Sequence, residues 1–467
     1  MQFVVQKGQS SAKGILAVRL GQLIYSSPSS QHSGCPQNNL RLRPDQLQFP
    51  QPPFDEPTGY TPPAVGTFFP VSTKEECNSL PEKRIHPELN LTRNWSTPNY
   101  LQYTNQASIP HICWNIAIQH LVHCDAPLLV PLSGCFTMTE PLIKYEKGVK
   151  AFAAIPADPL IIVCNQDPLR LRSTDVINRT SVSVWTHGGR KLINEKDFHR
   201  IVDAFKPEVV TSLIDEKLPK DCSCKQTVKY TEKAVTYLQR NAAHITNRKT
   251  NDEHNGETDT SQDMQEKTDD KPQLFASIPF SNDFHALDGA VNKILELENQ
   301  ICGYSLCNLI PSIDQIDFLS LEQKLNRVLE RLSRDKPRLL LGSFPPEKII
   351  RLARLGIDLF DNSYCTEMTD LHRAILLPQQ LSPTSGDEGM EPSVSWDTLE
   401  LSSKELYETD FNVIDSECDC YTCRQKFSRS YICHLANAQE MLAKVLLQMH
   451  NIRTYDRLFE LIRNNHD

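Results

Sequence analysis

Residues 338–361 read Arg-Leu-Leu-Leu-Gly-Ser-Phe-Pro-Pro-Glu-Lys-Ile-Ile-Arg-Leu-Ala-Arg-Leu-Gly-Ile-Asp-Leu-Phe-Asp. Arg338-Leu339-Leu340-Leu341 is a short apolar run of the kind found in strands covered on both faces. Pro345 and Pro346 open a helix, where proline is tolerated because a first-turn N–H has no partner within the helix. Asp358-Leu359-Phe360-Asp361 is the following strand. A strand, a helix and a second strand joined this closely make one unit of a parallel sheet.

The same alternation runs through the chain upstream. Leu128-Leu129-Val130 precedes a helical stretch from Glu140 to Ala153, followed by Leu160 to Val163 and Val182-Ser183-Val184-Trp185. A helix around Phe198 to Phe205 leads into Val209 to Ile214, which ends at Asp215. A helix near Thr227 to Leu238, the strand Leu274 to Ile278, a helix from Ala286 to about Gln300 and the strand Gly303 to Leu309 come next. Leu321, Leu325, Val328, Leu329 and Leu332 recur at helical spacing. Repeated strand–helix units imply a parallel sheet, doubly wound or closed. No Gly-x-Gly-x-x-Gly follows any strand, so a dinucleotide site has no support and the closed barrel is preferred. The fold class expected is therefore α/β, an irregular (β/α)8 TIM-type barrel. Side chains at strand C-termini form the active face of such barrels. Asp215 and Asp361 both occupy strand ends, although position alone makes an N-cap or turn aspartate the commoner outcome.

Composition sets the bounds. The chain has 467 residues and a formal charge of −9, which disfavours nonspecific nucleic-acid binding and leaves any such contact to a local patch. No stretch approaches 18 uninterrupted apolar residues, against a transmembrane helix. The 15 cysteines are too sparse for a disulfide scaffold and read as cytosolic thiols, some of them metal ligands. Residues 27–92 hold 12 prolines without periodicity and are expected to be a disordered insert. Residues 246–270 carry eight acidic and three basic side chains with Met264 as the one apolar residue, and are expected to be a second. Removing both leaves 376 residues, the size of one large domain. Residues 1–26 lack acidic side chains and weakly resemble a transit peptide. The preferred alternative is a β-hairpin of the barrel domain, Phe3-Val4-Val5 against Ile15-Leu16-Ala17-Val18 across a Gly/Ser/Lys turn. The domain organisation expected is a hairpin at 1–26, the barrel at 93–400, and a metal-binding subdomain with C-terminal helices at 401–467.

The strongest chemical signal is Cys418-x-Cys420-x-x-Cys423, with His450 downstream. Core burial does not explain three thiols interrupted by Asp419 and Thr422. Such a knuckle points several sulfurs at one centre, which suits tetrahedral zinc, and one imidazole would close the sphere. An amphipathic helix marked by Tyr431, Leu435, Ala438, Leu442, Val445, Leu446 and Met449 separates knuckle from histidine, placing His450 beside its apolar stripe. His434 is the competing ligand. A closed four-ligand sphere has no open position for substrate, so one structural Zn2+ per chain is expected. Cys222-x-Cys224 reads as incidental.

These residues carry a resemblance. Tyr407-Glu-Thr-Asp410-Phe411-Asn412, the cysteine knuckle, Ser430-Tyr431-Ile432-Cys433-His434-Leu435 and His450-Asn451 resemble the C-terminal zinc subdomain of the tRNA-guanine transglycosylases. Asp335-Lys336-Pro337-Arg338 and Gly356 to Asp361 resemble that family's last barrel strands. The resemblance covers roughly residues 98–467, apart from the acidic insert. It implies the barrel with a zinc subdomain appended, and it favours His450 over His434. It also implies exchange of guanine for queuine at the tRNA wobble position, through an aspartate nucleophile, an acid/base aspartate and a base-reading pocket.

The pocket motifs depart from the family pattern. Asp361 matches the nucleophile, but Asn362-Ser363-Tyr364-Cys365-Thr366-Glu367 follows where Cys-Val-x-Pro-Thr-Arg is expected. The acid/base stretch Asp-Ser-Gly-Gly-Phe-Gln is matched to Asn178 through Trp185, which has no carboxylate. Ile278 to Asn282 replaces a Gln-Gly-Gly segment, Gly303 to Asn308 lacks a second glycine and glutamate, and Asp215 matches the base-reading aspartate only weakly. Together these losses imply a vestigial pocket with no catalytic residue, as in the noncatalytic paralogue that eukaryotic members pair with a catalytic subunit. The resemblance then implies a heterodimer joined through the zinc-bearing end, tRNA bound through the complex, a cytoplasmic location and peripheral association with the mitochondrial outer membrane. Arg424, Lys426 and Arg429 are the basic cluster expected to touch tRNA. An active transglycosylase using Asp361, and a zinc-stabilised scaffold, are the alternatives.

Overall fold

The computed structural model describes residues 2–5, 21–26, 92–156, 158–170, 178, 180–215, 217–218, 222–251, 271–309, 318–377 and 397–464. The expected insert at 27–92 lies outside them except for Thr92, and so do residues 252–270 of the acidic insert and the second hairpin arm at 15–18.

Eight parallel strands close into a barrel in sequence order. They are β1 (Asn99–Tyr103), β2 (Leu128–Pro131), β3 (Ile161–Cys164), β4 (Val209–Thr211), β5 (Gln273–Pro279), β6 (Gly303–Cys307), β7 (Arg338–Leu339) and β8 (Leu359–Asp361). Pairing of Leu359, Phe360 and Asp361 with Asn99, Tyr100 and Leu101 completes the ring. The expected barrel is thus the observed one, and residues 338–361 form its last unit, with the helix Pro346–Arg354 as crossover.

Strand periodicity sorts the side chains. Leu101, Tyr103, Leu129, Ile162, Cys164, Val209, Phe275, Leu339 and Leu359 fill the interior, joined by Leu23. Their sequence neighbours Tyr100, Leu128, Val130, Ile161, Val163 and Phe360 point outward into the shell of helices. Gly303 pairs with Phe275, and a Cβ at that glycine would lie 2.6 Å from the phenyl ring, so the interior phenylalanine requires a residue without a side chain beside it.

Several local expectations are corrected. Gln2–Val5 does form a hairpin arm, but its antiparallel partner is Gly21–Ser26, and Thr92–Thr97 adds a third strand. The stretch from Glu140 to Ala153 is two helices, Thr139–Tyr145 and Gly148–Phe152, because Glu146 turns left-handed at φ 60°. The helix near Thr227 runs from Cys224 to Asn251, so the first six residues of the acidic segment are helical. Val182–Thr186 is not a barrel strand. It folds back on Gly189–Ile193 across His187-Gly188, since a two-residue connection permits only an antiparallel hairpin. The single helix expected between knuckle and histidine is two, Arg429–Asn437 and Met441–Asn464.

The long C-terminal helix packs on the barrel through Tyr455 and Phe459, whose rings meet Tyr100 at 6.3 and 5.6 Å. In this apolar seam the Tyr100 hydroxyl donates to Asp456 Oδ1 at 2.5 Å. Burial pushes the Asp456 carboxyl up to about 7. A carboxyl raised on folding favours the native state while protonated in it, and that contribution is lost as pH rises through the folded value. Asp456→Asn keeps the acceptor without the charge, so its thermal midpoint should fall less than the parent's between pH 6 and 8. Superimposable pH profiles would remove Asp456 as the cause.

Candidate functional site

Four donor atoms converge beyond the barrel. Cys418, Cys420, Cys423 and His450 are all buried, and their ligating atoms lie within 4.8 Å of one another, an arrangement that could hold one metal ion. The short helix Tyr421–Arg424 provides the geometry, with the Cys420 sulfur at its N-cap accepting from the Cys423 N–H. His450 Nδ1 stands 3.4 Å from Cys423 Sγ and 3.8 Å from Cys420 Sγ. Its Nε2 is 2.9 Å from the Ile375 carbonyl, to which it donates when Nδ1 faces a metal. Asn451 continues the tie, accepting from Ile375 N–H at 2.9 Å and donating to Thr369 Oγ1 and the Arg373 carbonyl at 3.0 Å. The metal group is thereby anchored to the segment leaving β8. His434, the competing ligand, is exposed on the helix Arg429–Asn437, while His450 is buried on the helix that follows the break after Asn437.

The basic cluster divides. Arg424 and Lys426 are exposed. Arg429 instead holds its own loop, donating to the Asp410 carboxylate at 3.1 Å and the Ile414 carbonyl at 3.0 Å.

At the C-terminal mouth of the barrel, Asp361 is 1% exposed, and its two oxygens accept from the Gly342 N–H at 2.7 Å and the Ser363 N–H at 2.9 Å. Burial pushes its carboxyl up to about 6 against those donors. Asp215 is also at the mouth, but Lys233 Nζ sits 2.7 Å from its Oδ2 and 2.7 Å from the Ser181 carbonyl. The Ser183 N–H donates to the other oxygen at 3.2 Å. Each oxygen of that carboxylate therefore already accepts from a donor of the protein itself. Glu367, standing where an arginine was expected, accepts from the Ser343 hydroxyl.

One mouth residue escaped the sequence reading. Because Val182–Thr186 lies outside the barrel, the strand facing β4 is β3, and the loop after it carries Asp167. Asp167 is 8% exposed, accepts from the Tyr103 hydroxyl at 2.9 Å, and its carboxyl is raised by burial. Its position three residues past a buried strand was the available signal. Val182–Trp185, matched above to the acid/base stretch, thus lies outside the barrel strands, and the loop after β3 holds a carboxylate bound by a buried tyrosine.

Fold and site define the class, a (β/α)8-barrel protein bearing a Cys3His group near its C-terminus. A profile of the family described as queuine tRNA-ribosyltransferase matches residues 86–465. The chain belongs to that family. It is similar to proteins named queuine tRNA-ribosyltransferase accessory subunit 2 in several animals. The protein of Ixodes scapularis is 28% identical over 375 residues, spanning 79% of this chain and 88% of that one. The Caenorhabditis briggsae protein is 26% identical, spanning 80% and 91%. The Xenopus laevis protein is 26% identical, spanning 78% and 88%.

Proposed function

We propose that this chain is the noncatalytic subunit of a heterodimeric queuine tRNA-ribosyltransferase, supporting exchange of guanine for queuine at the wobble position. The observation that carries this reading is the Lys233–Asp215 pair. A base-reading carboxylate must be free to accept from the base, and this one is already bound to an ammonium and a backbone N–H. Asp361, engaged on both oxygens and closed to solvent, and Asp167, held by Tyr103, complete a vestigial pocket without a catalytic residue.

The metal is proposed to be one structural Zn2+, held by Cys418, Cys420, Cys423 and His450. Tetrahedral zinc with ordinary Zn–S and Zn–N lengths spaces its ligand atoms roughly 3.5–3.8 Å apart, close to the sulfur–nitrogen spacings of 3.4 and 3.8 Å. When bound, the ion supplies cross-linking rather than Lewis-acid chemistry, since four protein donors fill the sphere. The catalytic subunit is assigned to the same end of the chain. A groove of about 630 Å³ there is lined by Phe411, Tyr431, His434 and Asn437. Phe411 is 78% and Met441 84% exposed, apolar surface suited to a partner. Arg424 and Lys426, with Arg429 ordering the loop beside them, are assigned to tRNA backbone contact. A cytoplasmic location with peripheral attachment to the mitochondrial outer membrane completes the proposal; among the described residues no helix is long and apolar enough to cross a membrane.

Labelled guanine exchange into tRNA tests the role. The chain alone should give none, the mixture with a catalytic subunit should give exchange, and the two should co-purify. Exchange by this chain alone would establish the active-enzyme alternative using Asp361. Failure to bind a catalytic subunit would favour the scaffold.

A further inference from the structure

The C-terminal helix Met441–Asn464 meets the cysteine knuckle at more than its histidine. His450, Arg453 and Arg457 are spaced three and four apart, which aligns them on one face of the helix. His450 turns to the sulfurs, and the two arginines turn to the aspartates on either side of Cys418. Arg453 donates from Nε to Asp419 Oδ1 at 2.6 Å and from Nη2 to Oδ2 at 3.3 Å, and its Nη1 donates to Glu460 Oε1 at 3.2 Å. Arg457 donates from Nη1 to Asp415 Oδ2 at 2.8 Å. Their side chains are 14% and 21% exposed, so both long cations lie against the knuckle rather than out in solvent.

Asp415 in turn builds the start of the knuckle. Its Oδ1 accepts from the Glu417 N–H at 2.9 Å, and its carbonyl accepts from the Cys418 N–H at 3.4 Å. Arg457 thus fixes the turn that delivers the first sulfur. The Cys418 sulfur also acts directly on the Arg457 guanidinium, by charge and by hydrogen bonding. Three thiolates, one neutral imidazole and a divalent ion sum to one surplus negative charge, and all four donors are buried. A guanidinium beside one sulfur offsets that charge, and its hydrogen bond draws electron density from the thiolate.

We infer that Arg453 and Arg457 are positioning residues of the metal group, which clamp the aspartates flanking Cys418 and slow release of the bound ion without touching it. Arg457 also balances the charge of the thiolates. Arg453 contributes less, because its partner Asp419 is exposed and water screens that pair. The inference rests on the metal assignment proposed above. It adds that retention of the ion is decided on the last helix, two turns beyond the final ligand.

The test uses the full chain loaded with Zn2+ and, separately, with Co2+. Release of Zn2+ to excess EDTA should be roughly 10–100 times faster from Arg457→Met than from the parent. Arg453→Gln should give a smaller rise. With Co2+ bound, the thiolate-to-cobalt charge-transfer band should shift in Arg457→Met. It should return to its parental position in Arg457→Lys, which restores a cation and a donor. Asp415→Asn leaves the sulfur contact in place and should keep the parental band. A residue that only supported the fold would not move the band. Arg457→Gln, read in the same way, covers the case in which the methionine variant does not fold. A parental release rate, or an unmoved band, in whichever of the two is folded would overturn the inference. A parental chain that binds neither ion would overturn the metal assignment and the inference with it, a result distinguishable because it precedes any substitution.

Discussion

Cys420→Ser or His450→Ala is expected to abolish bound metal and unfold the C-terminal subdomain. The small cluster around Ile414, Leu435, Leu446 and Leu447 includes the three cysteines themselves, so the core at this end is built partly from the ligands. Structural zinc contributes on the order of 10 kcal/mol of apparent folding free energy, comparable to the whole stability of a domain. The damage should also reach the barrel, because His450 and Asn451 hold Ile375 and Thr369 just beyond β8. Metal content by mass spectrometry should fall from one ion per chain to none, with protease cleavage appearing across residues 401–464. His434→Ala should retain metal and midpoint, since that imidazole faces solvent. Full metal content in His450→Ala would show that the donor set is wrong.

Lys233→Met should be the most damaging change at the barrel mouth. Lys233 and Asp215 have side chains 9% and 1% exposed. Removing one member of a buried ion pair costs about 3–5 kcal/mol because the other charge is left uncompensated. The Ser181 carbonyl would lose its donor in the same step. Lys233→Met/Asp215→Asn should recover much of that loss, as replacing both members of a buried pair is often close to neutral. Urea unfolding of the single and double variants measures both. A single variant within 1 kcal/mol of the parent would mean that water reaches the pair.

How far the sequence could be read depended on how local each feature is. The barrel strands were legible because a strand covered on both faces needs an apolar run, as in Leu128 to Val130 and Ile161 to Val163. Val182–Trp185, strand-like but interrupted by Ser183, misled, since composition does not say whether a strand joins a barrel or a hairpin. The turn two residues later decides that. Helix breaks were missed where one residue turns left-handed, as at Glu146.

The sequence by itself determined the three cysteines of the metal group and the order of the barrel. Three cysteines within six residues meet wherever the chain goes, and repeated apolar runs must be buried in sequence as strands separated by crossovers. Only the tertiary structure decided the fate of the pocket. Lys233 reaches Asp215 from a helix that begins nine residues past that aspartate. Tyr103 reaches Asp167 from two strands away, and Asn362 donates to Gln102 across the barrel closure. Such pairings follow from closing the ring, which brings together strand ends far apart in the chain, and no local spacing in the sequence records them.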